Sequence, residues 1–304
     1  MINTLRRLHD HPIAGQNYWR TLKRFAGWHL GSRLLDVPHL LAYTDHAQLL
    51  VKRGDYSASN QYLCGLSEYR EMAFACHFLT ADDLFVDVGA NIGAYSILLA
   101  AFVGCHALAI EPNGGTYADL QRNIALNQLQ QLIDARQFAA ADRPRELLMT
   151  QDWGNANQVW DDVHPDGSAV VPDALKSVQT IRVSGVALDD LALRRTPALL
   201  KIDVEGFEFQ VLAGAKALLA NPALEALIIE DMVQGHGAEH ALPISQTIQN
   251  AGFFAVHYDP KQRALRPANA ADQTGDNVIY VRDLECARQR VAASPALHVL
   301  GCVI

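Results

Sequence analysis

Cysteine is scarce in this chain and never clustered: Cys64, Cys76, Cys105, Cys286 and Cys302 are its five, with no close pair. An odd count without metal-type spacing argues against both a disulfide framework and a structural zinc site. Long apolar runs are missing too. The longest, Ile97 to Ile110, is broken by Gly104 and His106 and falls short of a bilayer span. The opening residues, Met-Ile-Asn-Thr-Leu-Arg-Arg-Leu-His-Asp, lack the apolar core of a signal peptide. The expectation is a protein without a membrane span, in a reducing compartment, with the cytoplasm as default. Basic charge is in deficit, 25 Lys and Arg against 33 Asp and Glu, for a formal net charge of -8. Such a surface repels a phosphate backbone, so no nucleic-acid partner is expected. The one basic stretch, with Arg6, Arg7, Arg20, Lys23 and Arg24, reads as a solvated helix face. Internal repeats and low-complexity tracts are absent.

What is present is ample apolar content: 50% hydrophobic residues over 304, enough for one sizeable domain with an attachment or for two smaller domains. From Leu84 onward short apolar runs alternate with helical patterns. Leu84-Phe85-Val86-Asp87-Val88 is nearly continuous, as a strand covered on both faces should be. A helix from Gly93 to Val103 follows, then a strand at Ala107 to Ile110 and a helix carrying Tyr117, Leu120 and Ile124 at helical spacing. Further strands are expected at Leu132 to Phe138, Ala198 to Val204 and Leu224 to Ile229. A helix through Val211, Leu212, Ala215 and Leu219 follows the second of these. Phe253 to His257 and Asn277 to Val281 suit a terminal antiparallel pair, joined by a polar stretch from Asp259 to Asp276. Strands alternating with helices imply an α/β fold, a Rossmann-like, mostly parallel doubly wound sheet with ligands beyond its carboxyl edge. Residues 1–80 read as a mainly helical extension with a hairpin near Leu49-Leu50-Val51, and 81–304 as the main domain. An irregular insert at about 143–180, with Trp153, Asn155, Asn157, Trp160, His164 and Asp166, would overhang the pocket.

The strand-to-helix turn Gly89-Ala90-Asn91-Ile92-Gly93 holds the clearest chemistry. Gly89 permits a tight turn, Gly93 close packing of the helix on the strand, and the turn amides are placed to meet a carboxylate or phosphate. Glu111 ends the next strand, where an acid can accept hydrogen bonds from both hydroxyls of a ribose. A dinucleotide site wants Gly-x-Gly-x-x-Gly. Here Asn91 replaces the middle glycine and would crowd a pyrophosphate. Asp87 at the strand end would repel phosphates but attract the ammonium of a methionine moiety, or else it caps the turn amides. S-adenosylmethionine is favoured over NAD.

Val86-Asp87-Val88-Gly89-Ala90-Asn91-Ile92-Gly93, Glu111-Pro112-Asn113 and Leu200-Lys201-Ile202-Asp203-Val204-Glu205-Gly206-Phe207-Glu208 resemble the FkbM family of methyltransferases. Tyr62-x-x-Gly65-Leu66-x-Glu68 and Leu188-Asp189-Asp190-Leu191 are similar too, and the likeness spans about residues 60–235. It implies a class I methyltransferase sheet using S-adenosyl-L-methionine. Glu111 would then lie on the ribose, Asp142 at the adenine, and Glu68 on the cofactor side. The acceptor would be a hydroxyl of a carbohydrate or secondary metabolite.

Lys201, Asp203 and Glu205 alternate along one strand and its exit, so all three should leave one face. Asp203 or Glu205 could orient and deprotonate a hydroxyl with Lys201 fixing their geometry, or the strand end could merely shape the pocket. Asp203, Glu205 and Glu230 offer oxygen ligands for a divalent metal, which is possible but not expected. His236 and His240 could reach the pocket mouth, though solvated loop positions suit them better, as they suit His9 and His11. The Asp203-Val204-Glu205-Gly206 stretch lacks the Asn/Asp-Pro-Pro-aromatic signature of base amine methylation, which favours oxygen as the acceptor atom. The competing readings are a non-catalytic nucleoside-cofactor-binding protein and an NAD-dependent oxidoreductase. A small-molecule or glycan substrate is the expected partner, and the N-terminal helices could join two copies of the chain.

Overall fold

The computed structural model describes residues 2–34, 37–42, 44–45, 47–52, 56–150, 159–160, 179–230, 238–269, 272 and 277–304. Its centre is a sheet of eight strands. Five of them are parallel: β1 (Leu84–Val88), β2 (His106–Ile110), β3 (Ile133–Arg136), β4 (Leu199–Ile202) and β5 (Ala226–Glu230). They lie in the order β3-β2-β1-β4-β5. Three antiparallel strands, β6 (Phe254–Asp259), β7 (Ala264–Pro267) and β8 (Asn277–Val281), extend the sheet past β5 as β8-β6-β7. The expected Rossmann-like architecture is therefore found, with the order reversing between β1 and β4. A crevice opens at such a switch point, beyond the carboxyl ends of the strands.

Two core layers flank the sheet, and strand alternation divides them. Phe85, Ala107, Leu199 and Ile228 face helices α4 (Tyr69–Phe78), α5 (Ala94–Phe102), α6 (Gly114–Leu126) and α10 (Leu284–Ala293). Val86, Leu108, Leu200 and Leu227 face α7 (Glu208–Ala213), α8 (Lys216–Ala220) and α9 (Ala238–Asn250). By the same alternation Asp87 and Lys201, in register on adjacent strands, both point to the α4–α5 side.

The first eighty residues hold α1 (Ile2–Asp10), α2 (Tyr18–Leu34), α3 (Tyr56–Cys64), α4 and the expected hairpin, His39–Ala42 against Gln48–Val51. Ile13, Trp28, Leu49 and Val51 from this stretch share one core cluster with Phe85 and Leu99. The hairpin is tied to α6 by side-chain amides: Asn123 Oδ1 accepts from the Leu50 amide at 2.7 Å and Asn127 Oδ1 from that of Gln48 at 2.8 Å. Arg24, read as solvated, is half-buried and donates to the Tyr62 carbonyl. His11, read as a surface residue, is also half-buried, with Nε2 2.9 Å from the Leu66 carbonyl. No helix among the described residues is long and apolar enough to cross a membrane.

Three sequence expectations need correction. The single helix drawn through Leu219 is two, α7 and α8, because the chain passes Gly214 in contact with a neighbouring backbone. A Cβ there would lie 1.9 Å from the Ala141 carbonyl oxygen. Asp189 then caps the new helix, accepting from the amides of Ala217 and Leu218 at 2.8 and 2.9 Å. The polar stretch after Asp259 contains β7 and is not merely a connection. The insert expected to be irregular contributes strands 145–150 and 159–160, which form a second sheet with 139–141 and 180–187. The remainder of that insert, with Trp153, Asn155, Asn157, His164 and Asp166, lies outside the described residues, as do the side chain of Trp160, all of His236 and the side chain of His240.

Candidate functional site

The turn between β1 and α5 is fixed from both sides. Gly89 sits at φ +80°, and a Cβ there would lie 1.8 Å from the Asp203 carbonyl oxygen, so the turn leans on the exit of β4. Gly93 makes room for α6 rather than for the strand, since its Cβ would lie 2.6 Å from Leu120 Cδ1. The turn amides were expected to face a ligand, and the structure spends them otherwise. Gly89 and Ala90 donate to the Ile110 carbonyl at 3.0 and 2.9 Å, and Gly93 donates to that of Ala90 at 2.8 Å. Asn91 donates to Glu111 Oε2 at 3.1 Å, and Ile92 to the Asn91 side chain at 2.7 Å. All five donors are occupied, so the turn offers no cradle for a pyrophosphate.

The same bonds hold Glu111. Its Oε2 accepts the Asn91 amide and its Oε1 the Asn113 amide at 2.8 Å, which locks the carboxylate, 6% exposed, across two loops. The carboxylate is thereby fixed at the cavity wall.

Opposite Glu111 lies a charged cluster built on the β1–β4 register. Lys201, 3% exposed, donates to Asp203 Oδ2 at 2.6 Å and stands 4.9 Å from the centre of the Tyr95 ring. Burial works against its charge, but Asp203, Glu68 and Asp87 together raise its pKa, so it remains an ammonium. Asp87 does not cap the turn. Its Oδ2 accepts from Ser96 Oγ at 2.7 Å, and its buried Oδ1 has no partner among the described residues. Burial raises the Asp87 pKa against the pull of Lys201. Glu68 Oε2 accepts from the Tyr95 hydroxyl at 2.7 Å and from Asn277 Nδ2 at 2.9 Å. Burial pushes the Glu68 pKa up to about 7, with Lys201 opposing the rise and Asp203 adding to it.

At the exit of β4, Glu208 Oε1 accepts the amides of Val204 and Gly206 at 3.2 and 3.1 Å and holds the bend in which Glu205 adopts φ +55°. Carboxylate oxygens of Asp203, Glu205 and Glu230 lie within 4.8 Å of one another there. Burial first, then repulsion from Asp203, Glu205 and Glu208, pushes the Glu230 pKa up to about 9. The separation of these oxygens suits a hard divalent ion such as magnesium or calcium.

Glu68, Asp87, Gly89, Asn91, Glu111, Lys201, Asp203 and Glu205 all line one cavity at the carboxyl edge. Ala139, Ala140 and Met149 of the second sheet form part of its wall. Glu230 lines an adjoining groove that shares Glu68, Asp203 and Glu205 with the cavity. Asp142 is outside both linings. It follows the strand 139–141, which has left the central sheet, and it pairs with Arg143 and Arg145 at 2.8 Å each. Sequence reasoning gave no role to Tyr95, Ser96, Glu208 or Asn277. The first two stand just inside the helix after the turn, a signal that could have been read. Asn277 reaches Glu68 across 209 positions and carried none.

The family model described as the methyltransferase FkbM domain matches residues 87–254. No curated protein matches the chain. Among solved structures, the methyltransferase FkbM from Methylobacillus flagellatus KT is similar at 15% identity and TM-score 0.45, over 86% of this chain and 60% of that one. The chain thus spans less than two thirds of that protein's length. Precorrin-6y C5,15-methyltransferase from Geobacter metallireducens GS-15 is similar at 11% identity and TM-score 0.39, over 71% of this chain and 85% of the other. TYW2 of P. horikoshii in complex with MeSAdo is similar at 12% identity and TM-score 0.40, over 81% and 70%.

Proposed function

Because the chain belongs to the family of FkbM methyltransferase domains, we propose that it transfers the methyl group of S-adenosylmethionine to a hydroxyl of a carbohydrate or secondary metabolite. Glu111 carries the reading: a buried carboxylate lining the cavity just past the carboxyl end of β2, clamped by one amide from each of two loops, where an acid can meet the two ribose hydroxyls. Two further observations fit the same cofactor. The unpartnered Asp87 Oδ1 is suited to the ammonium of the methionine moiety. A turn with every amide occupied is ill suited to the pyrophosphate of NAD.

S-adenosylmethionine, when bound, supplies an electrophilic methyl group on its sulfonium. The chain's own task is to orient an acceptor hydroxyl and take its proton. Asp203 or Glu205 does this at the carboxyl edge, and Lys201 holds Asp203 in place from 2.6 Å. Glu68, lining both the cavity and the adjoining groove, separates the cofactor side from the acceptor side.

Calorimetric titration tests the cofactor: S-adenosylhomocysteine should bind and NAD should not. Absence of S-adenosylhomocysteine binding, or preference for NAD, would end the reading. The acceptor would then be sought by mass spectrometry of cell extract incubated with the protein and isotopically labelled methyl donor. A chelator should leave turnover unchanged, and its loss would assign the Asp203, Glu205 and Glu230 oxygens to a divalent ion.

A further inference from the structure

The groove beside the cavity lies between the start of α4 and the strands β5, β6 and β8. Its lining is strongly acidic: Glu68, Glu71, Asp203, Glu205, Glu230 and Asp259 face Arg70 and His257. Cross-strand pairing sets Glu230 of β5 opposite Asn277 of β8. Glu230 Oε2 and Asn277 Oδ1 are both shielded from solvent, and neither has a hydrogen-bond partner among the described residues. The Asn277 amide nitrogen is spent on Glu68, which leaves its oxygen as the group still unpaired. Buried acceptors in native proteins are normally satisfied, so two of them on adjacent strands of one groove mark the place of a missing donor. Asp203 and Glu205 bring further carboxylate oxygens within 4.8 Å of Glu230. A donor that also carries positive charge offsets this crowding of acidic groups.

A protonated amine meets both requirements, with three N–H donors on a compact charge. A divalent ion takes the same oxygens as ligands, and magnesium is kept as a separate outcome of the test. Resting on the methyltransferase reading above, we propose that this groove receives the acceptor, and that the acceptor is a hydroxylated molecule bearing a protonated amine. The ammonium lies between Glu230, Asn277 and the Asp203–Glu205 corner, and the hydroxyl to be methylated turns toward the cofactor cavity. The same carboxylates repel anionic acceptors, phosphorylated sugars among them.

The test uses the whole chain saturated with S-adenosylhomocysteine and a matched panel of amino sugars and amino alcohols, their N-acetylated partners and their phosphorylated counterparts. Binding is followed by ligand-detected magnetic resonance. Ammonium compounds should bind at least tenfold more tightly than their N-acetylated partners, and phosphorylated ones more weakly still. Glu230→Gln and Asn277→Ala, each checked for native melting, should each erase that preference, and S-adenosylhomocysteine affinity should stay the same in Glu230→Gln. Turnover of a binding amine should place the label on oxygen. No preference for ammonium compounds, or a preference that survives both variants, overturns the proposal. So does a methyl group found on nitrogen, or magnesium binding alone that is lost in Glu230→Gln. Failure to bind S-adenosylhomocysteine would instead sink the reading on which the proposal rests.

Discussion

Replacing Glu68 by glutamine should stabilise the folded chain at high pH while removing activity. In the unfolded chain Glu68 titrates at its ordinary 4.5, and in the folded protein at about 7, because burial outweighs the attraction of Lys201 while Asp203 and Glu71 add repulsion. The gap, at about 1.4 kcal/mol per pH unit, makes the ionised side chain a burden of about 3 kcal/mol on the fold. The sign follows from a folded pKa that is raised. Below 4.5 the carboxyl is protonated in both states and costs nothing. Between 4.5 and 7 the unfolded chain ionises first, so wild-type stability falls, and above 7 the full penalty is in place. Glutamine copies the neutral form and can still accept from Tyr95 and Asn277. Urea unfolding at pH 5, 7 and 9 should show near-equal stabilities at pH 5 and a variant more stable by about 2–3 kcal/mol at pH 9. A variant less stable than wild type at pH 9, or a difference that does not change with pH, would refute the account of Glu68 as a carboxylate held against its preference. Gain of stability with loss of turnover is the expected mark of a residue kept for function.

Four other changes probe separate parts of the structure. Gly89→Ala meets the Asp203 carbonyl at 1.8 Å in a left-handed backbone, so the unfolding free energy should drop by about 2–4 kcal/mol and S-adenosylhomocysteine binding should vanish with it. Glu111→Gln removes one charged acceptor, and calorimetry should record about a tenfold to hundredfold weaker S-adenosylhomocysteine affinity. Asp203→Asn and Glu205→Gln, made separately, should abolish turnover while cofactor affinity persists; full turnover in both would end the assignment of either as base. Asp189→Ala frees the amides of Ala217 and Leu218 at the start of α8 and should cost about 1 kcal/mol in chemical denaturation, with cofactor affinity unchanged.

The middle of the sheet was legible because β1, β4 and β5 are buried on both faces. Leu84 to Val88 is buried at all five positions, and a run of that kind has few other ways to fold. The turn and Glu111 were legible for a related reason: the elements that place them are adjacent in sequence, so spacing alone positions the acid beside the glycines. The split between α7 and α8 was not, because its cause is the Ala141 carbonyl lying against Gly214, 73 positions away. Helical periodicity runs straight through Gly214 and gives no sign of that contact. Asp142 was placed by family likeness alone. The third strand ends at Arg136, the chain crosses to the second sheet at Ala139, and Asp142 lies there between two arginines.

The charged cluster lies between these cases. Alternation along β4 correctly puts Lys201 and Asp203 on one side, and the 2.6 Å contact follows from it. What alternation cannot supply is the register between strands. That register sets Asp87 beside Lys201 and Asn277 opposite Glu230, and it converts three ordinary carboxyl groups into a coupled set. Each carboxylate is costly alone in such a place, and a single buried lysine cannot neutralise Glu68, Asp87 and Asp203 together. The raised pKa values of Glu68 and Glu230 register that shortfall of positive charge. A fold selected only for stability would have replaced some of these acids with neutral side chains, as Glu68→Gln is expected to demonstrate. Their retention makes sense when the missing charge arrives with the ligands: a sulfonium nucleoside with its ammonium in the cavity, and a cationic acceptor in the groove.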